Sequence, residues 1–343
     1  MKKLLNTLYI SSPEKYLALD GETVLIKADG ERDVHVPLHN LQAIVSFGYR
    51  GASPALMKAC AERHIGLTFL SFSGKFLSRI VGESYGNVLL RKKQYAVSQN
   101  ENESLKISKN CIIGKVYNSR WVLERTLRDH ELRVDAIRIK SASVTLKQSM
   151  ILLEESTNLD QLRGYEGETA SKYFSVFDEM ILNQKEAFYF CGRNRRPPLD
   201  NVNALLSFCY TLLTQMTVGA LEAVGLDPYV GFMHQDRSGR VSLALDMIEE
   251  LRSVMVDRFV ISLINKRMVT VSGFKQKENG AVMMKDDTRK RILIEWQNRK
   301  QEEIKHPYLK EKVQWGMVPY VQALLLARYL RGDIDTYPPF FWK

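Results

Sequence analysis

The sequence predicts an α+β protein: a small N-terminal β-sheet domain followed by a larger, all-helical C-terminal domain. Two observations carry the prediction. Apolar residues alternate or cluster in short β-branched runs up to about residue 95, then recur at three-to-four spacing over the rest of the chain. Turn dipeptides punctuate the strands of the first part, at Asp20-Gly21, Asp29-Gly30 and Ser73-Gly74.

The strands expected in order are Leu4 to Ile10, Tyr16 to Asp20, Glu22 to Ala28, Asp33 to Pro37, Ile44 to Phe47, Gly66 to Leu70 and Phe76 to Val81, forming a mostly antiparallel sheet. One crossover helix interrupts them, opened by the Ser53-Pro54 N-cap and first-turn proline. The basic stretch from Gly86 to Tyr95 reads as a domain junction, and the division is set at residues 1–92 and 93–343. Two long helices then follow with a break near Asp129. Further helices are expected over Leu159 to Asn183, Val202 to Val224, Ser242 to Ile264, Asp286 to Lys305 and Val318 to Arg331. There are no internal repeats.

Composition bounds the function. The chain has 343 residues, 45% hydrophobic and 26% charged, which is ordinary globular usage and excludes disordered and low-complexity classes. No run approaches the roughly 20 apolar residues of a membrane span, and no secretory leader is evident, so a soluble, cytoplasmic protein is expected. Cys60, Cys111, Cys191 and Cys209 are too widely spaced for a disulfide framework or a zinc site, and read as reduced, buried thiols. The net charge of +10 suggests a polyanionic partner, nucleic acid above all. Both halves share the excess, so it is not a detachable tail.

No phosphate-binding Gly-rich loop, Gly-x-Ser-x-Gly elbow or His-Glu-x-x-His pair is present, which removes P-loop hydrolysis, α/β-hydrolase chemistry and zinc proteolysis. Three elements remain. Arg163-Gly164-Tyr165-Glu166-Gly167 holds a carboxylate between two glycines, where backbone access suits a metal ligand approached by a phosphodiester; an acid favoured by a helix N-terminus is the plainer account. Gly231-Phe232-Met233-His234 offers a ligand or general base in a loop, or simply a surface histidine. Asp246 and Glu249, at i and i+3 in an apolar helix, share a face and can address one cation. A histidine with two or three carboxylates from separate helices is the ligand chemistry of a Mg²⁺ or Mn²⁺ site that clamps phosphate oxygens. Basic groups at Arg193, Arg195 and Arg196, at Lys285, Arg289, Lys290 and Arg291, and at Lys305, Lys310 and Lys312 supply a substrate surface; Trp296, Tyr308, Trp315 and Tyr320 could stack on bases.

With these residues the sequence resembles the CRISPR adaptation integrases, metal-dependent endonucleases that insert new spacers into CRISPR arrays. The resemblance spans the whole chain. It runs through Gly86-Asn87-Val88-Leu89-Leu90-Arg91, Arg163 to Gly167, Asp200 to Phe208, Gly231 to His234 and Gly239 to Asp246. It closes with Leu330-Arg331-Gly332-Asp333 and Tyr337-Pro338-Pro339-Phe340. It implies metal ligands at Glu166, His234 and Glu249 with Asp246 as the neighbouring active-site acid, Glu249 standing where the family often has Asp. It further implies Mg²⁺ or Mn²⁺ and in-line attack of a duplex 3′-hydroxyl on the repeat. The implied partners are double-stranded prespacer and repeat DNA, a homodimer made through the N-terminal sheet domain, and a small ferredoxin-like partner protein. Candidate DNA contacts are Arg163, Arg193, Arg195, Arg196, Arg240 and Lys290, and the wording is closest to a type I system of subtype C. Two other readings stand beside it: a non-catalytic DNA-binding scaffold, and a general nuclease for branched DNA or RNA.

Overall fold

A computed structural model describes residues 6–71, 76–82, 87–195 and 197–343. It divides into two compact units, residues 1–85 with 283–302 and residues 86–282 with 303–343.

The first unit carries seven strands: β1 (Asn6–Ile10), β2 (Tyr16–Asp20), β3 (Thr23–Lys27), β4 (Val34–Pro37), β5 (Leu41–Phe47), β6 (Gly66–Leu70) and β7 (Phe76–Ile80). They form two sheets rather than the one mostly antiparallel sheet the sequence suggested. β2-β3-β4 is an antiparallel meander, whereas the β1-β5-β6-β7 sheet is mixed, with β5 parallel to both β1 and β6. Parallel neighbours need a crossover. Helix α1 (Pro54–Glu62) supplies it between β5 and β6, and the Ser53 side chain accepts from the Leu56 amide at 3.2 Å, as its cap position requires. Leu17, Val24, Leu38, Ile44, Leu56 and Leu67 fill the core between these elements. The Ser73-Gly74 turn and Leu4 lie outside the described residues.

The second unit is helical: α2 (Val88–Ser98), α3 (Glu101–His130), α4 (Ala136–Glu155), α5 (Leu159–Phe174), α6 (Asn201–Val224), α7 (Ser242–Ile248) and α8 (Arg258–Asn265). A short ribbon of β8 (Phe274–Gln276) and β9 (Val282–Met284) then leads to α9 (Asp286–Gln301). β10 (Glu303–Lys305), β11 (Lys312–Gln314) and α10 (Val318–Arg331) complete the second unit.

Three features depart from the sequence reading. The junction stretch is helix α2, whose Leu90, Gln94 and Val97 are buried in the second unit. Helix α9 belongs to the first unit: Lys300 Nζ donates to Thr7 Oγ1 at 2.8 Å, and the Arg289 guanidinium lies 5.5 Å from the Phe47 ring centroid. Helix α6 is long and apolar enough to cross a membrane, with mean hydropathy 1.4 in its most apolar window, yet 67% of that window is buried within the protein, as a core helix would be. Among the four cysteines, Cys191 is exposed and the other three are buried.

Candidate active site

The helical run from Ser242 to Asn265 is where local geometry matters most. It begins as α7, tightens to 3₁₀ over Glu249–Leu251, widens to π over Arg252–Asp257, and resumes as α8. Such irregular turns re-aim side chains and cluster at functional sites. Here Glu249, Arg252, Ser253 and Asp257 all line one cavity of about 170 Å³.

Lys115 of α3, Glu166 of α5 and His234 line the same cavity. Three side chains picked from the sequence, Glu166, His234 and Glu249, are therefore gathered at one place. The two carboxylates converge on a single cation: Lys115 Nζ pairs with Glu166 Oε1 and stands 2.7 Å from Glu249 Oε2. Arg252 adds a second cation 3.0 Å from Glu249 Oε1. Burial alone would push the Glu249 carboxyl up, but Arg252 and Lys115, with His234 beyond them, outweigh it and hold it at about 2. The same acids keep Lys115 and Arg252 protonated against their own burial.

His234 is fixed from behind. Asp246, 2% exposed, accepts from the amides of Phe232 at 2.7 Å, Met233 at 3.1 Å and His234 at 3.0 Å, and from His234 Nδ1 at 2.6 Å. A carboxylate can only accept here, so Nδ1 carries the proton and Nε2 remains the basic ring nitrogen. Gly231 makes room for this: a Cβ there would lie 2.8 Å from Asp246 Oδ2. The i, i+3 pairing thus divides in two, with Asp246 turned to the histidine loop and Glu249 to the cavity. The loop itself is held by α2, where Gln94 Nε2 donates to the carbonyls of Asp227 and Val230, each at 2.8 Å, and by Arg163, which donates to the Met233 carbonyl at 2.7 Å. At the end of α6, Gly225 adopts φ +86° and a Cβ would collide with Asn87.

Deeper in the cavity wall, the Tyr210 hydroxyl donates to Asp257, while the guanidinium groups of Arg193 and Arg252 lie 5.3 and 5.0 Å from the Tyr210 ring centroid. Burial raises Asp257 to about 6 despite Tyr210, Tyr173 and the nearby arginines. Lys115, Arg252, Tyr210 and Asp257 were not picked from the sequence. Lys115 alone left a trace there, a lone cation between the buried Ile112 and Val116.

The basic candidates separate by use. Arg195 is exposed and lines the cavity. Arg193 lines it too, yet its donors go to Asn203 Oδ1 at 2.6 Å, the Asn194 carbonyl and Ser207 Oγ. Arg163 is engaged with Met233 and Asp160. Arg240 sits in the loop before α7, and Lys290 is exposed on α9 in the first unit; Arg196 lies outside the described residues. Trp296 and Trp315 are buried core residues, not stacking platforms, whereas Tyr308 is 47% exposed. Gly164 and Gly167 are exposed on α5, with nothing within 4 Å of a Cβ at either.

As placed, no three His, Cys, Asp or Glu side chains among the described residues are drawn together closely enough to hold a metal ion. The donor chemistry nevertheless fits a hard divalent cation: two carboxylates already share one positive charge, and a histidine with a fixed basic nitrogen lines the same cavity.

The family model for CRISPR associated protein Cas1 matches residues 8–298. The chain belongs to the Cas1 family. A relative named CRISPR-associated endonuclease Cas1 1, from Chlorobaculum tepidum, is 49% identical over 343 residues, covering 100% of both chains. Among solved structures, a casposase bound to its integration product superposes with TM-score 0.84 at 24% identity, covering 97% of this chain and 92% of that one. A Cas6-RT-Cas1–Cas2 complex contains a chain that superposes with TM-score 0.83 at 21% identity, covering 100% of this chain and 36% of that one. At these identities the two structures show that the Cas1 fold is shared.

Proposed function

We propose that this Cas1 protein is a divalent-metal-dependent DNA endonuclease and integrase that joins the 3′-hydroxyl ends of short duplexes into a CRISPR repeat. The observation that carries the reading is the convergence of Glu166 and Glu249 on one cation, in the cavity that His234 lines. The endonuclease name of a relative matched over its full length supports the nuclease class, and a structural neighbour, a casposase bound to integration product, supports the integrase reading.

Glu166, His234 and Glu249 would hold Mg²⁺ or Mn²⁺, which when bound polarises the scissile phosphate and stabilises charge on its oxygens. Asp246 keeps His234 in the tautomer whose Nε2 faces outward as a base or ligand. Lys115, Arg195 and Arg252 place positive charge along the cavity, suited to a phosphodiester. In the reaction the 3′-oxygen forms a bond to phosphorus, the bond to the displaced 3′-oxygen breaks, and the proton passes from the attacking hydroxyl to the departing strand through the site. Water in place of the hydroxyl gives cleavage.

The proposal includes a homodimer, built through the N-terminal sheet domain and suited to a duplex with two ends, and a small ferredoxin-like partner. A Cas1–Cas2 assembly among the structural neighbours supports the second component. The test incubates wild type and His234→Ala with Mn²⁺, the partner, a labelled 3′-hydroxyl duplex and a repeat-bearing supercoiled plasmid. Label joined to plasmid with wild type and metal, and lost with EDTA or in the variant, is expected. Duplex binding without joining or cutting, with Mn²⁺ or with Mg²⁺ in its place, overturns the reading in favour of a scaffold.

A further inference from the structure

The closing motif Tyr337-Pro338-Pro339-Phe340 has no part in the chemistry above, yet it is tied to the active site from the far side of two peptide bonds. Residues Tyr337–Trp342 form a strap along α3. Asn110 Nδ2 donates to the Tyr337 carbonyl at 2.8 Å. Two turns on, Asn118 Nδ2 donates to the Phe340 carbonyl at 2.6 Å, and Asn118 Oδ1 accepts from the Trp342 amide at 2.8 Å. The Phe341 and Tyr117 rings meet at a tilt of 52° with centroids 4.7 Å apart.

This strap satisfies both carboxylate oxygens of Glu250, which is fully buried. Oε1 accepts from the Tyr337 hydroxyl and from Gln322 Nε2, and Oε2 accepts from the Phe340 amide at 2.7 Å. Asn118 also donates to the Glu250 carbonyl at 2.6 Å. Between these ties, a Cβ on Gly114 would lie 3.0 Å from the Glu250 Cβ and 3.1 Å from the Pro339 Cβ. The arrangement pairs neighbours: Gly114 and Glu250 face the strap, while Lys115 and Glu249, each adjacent in sequence, meet across the cavity. The 3₁₀ and π turns at 249–257 depart from the regular helical ladder that would otherwise fix this backbone.

We propose that the strap is a positioning element of the active site, with Tyr337 and Phe340 holding Glu250 and thereby setting where the Glu249 carboxylate points. The inference rests on the reading of Glu249 as a metal ligand. Tyr337→Phe deletes the hydroxyl tie and keeps the ring; Gly114→Ala wedges Glu250 from Pro339 and keeps every hydrogen-bonding group. Each full-length variant is compared with wild type by Mn²⁺ titration calorimetry and by amide hydrogen exchange without metal.

The expected result is faster exchange over residues 247–251 and Mn²⁺ affinity weakened about 10-fold, the lower end of the effect of losing a ligand's support. DNA cleavage lost at limiting Mn²⁺ returns at saturating Mn²⁺. Wild-type Mn²⁺ affinity in both folded variants, with faster exchange confined to residues 336–343, overturns the proposal. A wild-type protein that binds no Mn²⁺ overturns the metal reading instead, and exchange at 247–251 then decides alone whether the strap positions Glu249.

Discussion

Replacing the two exposed glycines of α5 by alanine should separate stability from activity. Neither Gly164 nor Gly167 has a positive φ, and an added Cβ at either meets nothing within 4 Å. Alanine therefore fits without strain, and each substitution should stabilise by about 0.5–1 kcal/mol through lost unfolded-state freedom. For a unit of this size that is a rise of about 1–4 °C in Tm. The activities should diverge. At about 100° per residue, Gly164 lies some 160° around the helix from Glu166, nearly opposite, whereas Gly167 lies about 100° away on the flank of the cavity-facing side. On the proposed function, in which DNA reaches Glu166 across this face, a methyl at Gly167 stands in the path of the backbone, and a displacement of about 1 Å costs on the order of 10²-fold in rate. Differential scanning calorimetry and cleavage of a labelled duplex with Mn²⁺ measure both effects. We expect Gly167→Ala to be more stable and at least about 10-fold slower, and Gly164→Ala more stable at the wild-type rate. Wild-type cleavage by Gly167→Ala would refute the idea that DNA crosses this face, and a lowered Tm would refute the open-space argument itself.

Asp246→Asn should cut cleavage by about 10–100-fold with Glu166 and Glu249 intact, since it turns an amide towards donors and releases the His234 tautomer; an unchanged rate in a steady-state cleavage assay would remove Asp246 from the mechanism. Buried His306, whose ring is held by Gln322 and the amides of Tyr308 and Leu309, is lowered by burial to about 4. Its unfolded form binds a proton from about pH 6.5 downward. The protein should therefore lose stability as pH falls from about 6.5 to 4, by up to about 1.4 kcal/mol per unit, and denaturant titrations of His306→Gln should lack that component. DNA affinity should fall steeply and linearly in log Kd against log salt, given the +10 charge, and fluorescence anisotropy showing no salt dependence would contradict phosphate-led binding.

Much of this was readable from residue order. The seven strands, the Ser53 cap and the long helices follow from period and turn chemistry, which are local. Glu166, His234 and Glu249 could be picked as chemistry-bearing residues because each stands in an unusual local setting. What was not readable depends on distance in sequence. The parallel β1-β5-β6 pairing is a matter of which strands meet, and period-2 alternation does not record it. The basic run before Tyr95 concealed an amphipathic helix, because Gln94 is buried for its hydrogen bonds and not for hydrophobicity. Lys115 and Arg252 join the cavity only because α3 and the π turn bring them to Glu249. The different duties of Asp246 and Glu249 appear where the helix tightens to 3₁₀ at Glu249, whose amide donates to the Asp246 carbonyl, a break that an ideal helical wheel does not contain.

The return of α9 to the first unit bears on how the protein is made. The face of the N-terminal sheet that offers Thr7 to Lys300 and Phe47 to Arg289 is complete in sequence by residue 85, yet its covering helix is translated only at 286–301. At about 5–20 residues per second, ribosomes leave that face uncovered for about 10–40 s. The first unit is thus begun first and finished late, and a gene fragment ending near residue 92 would encode every strand of both its sheets without the Trp296 helix that closes it.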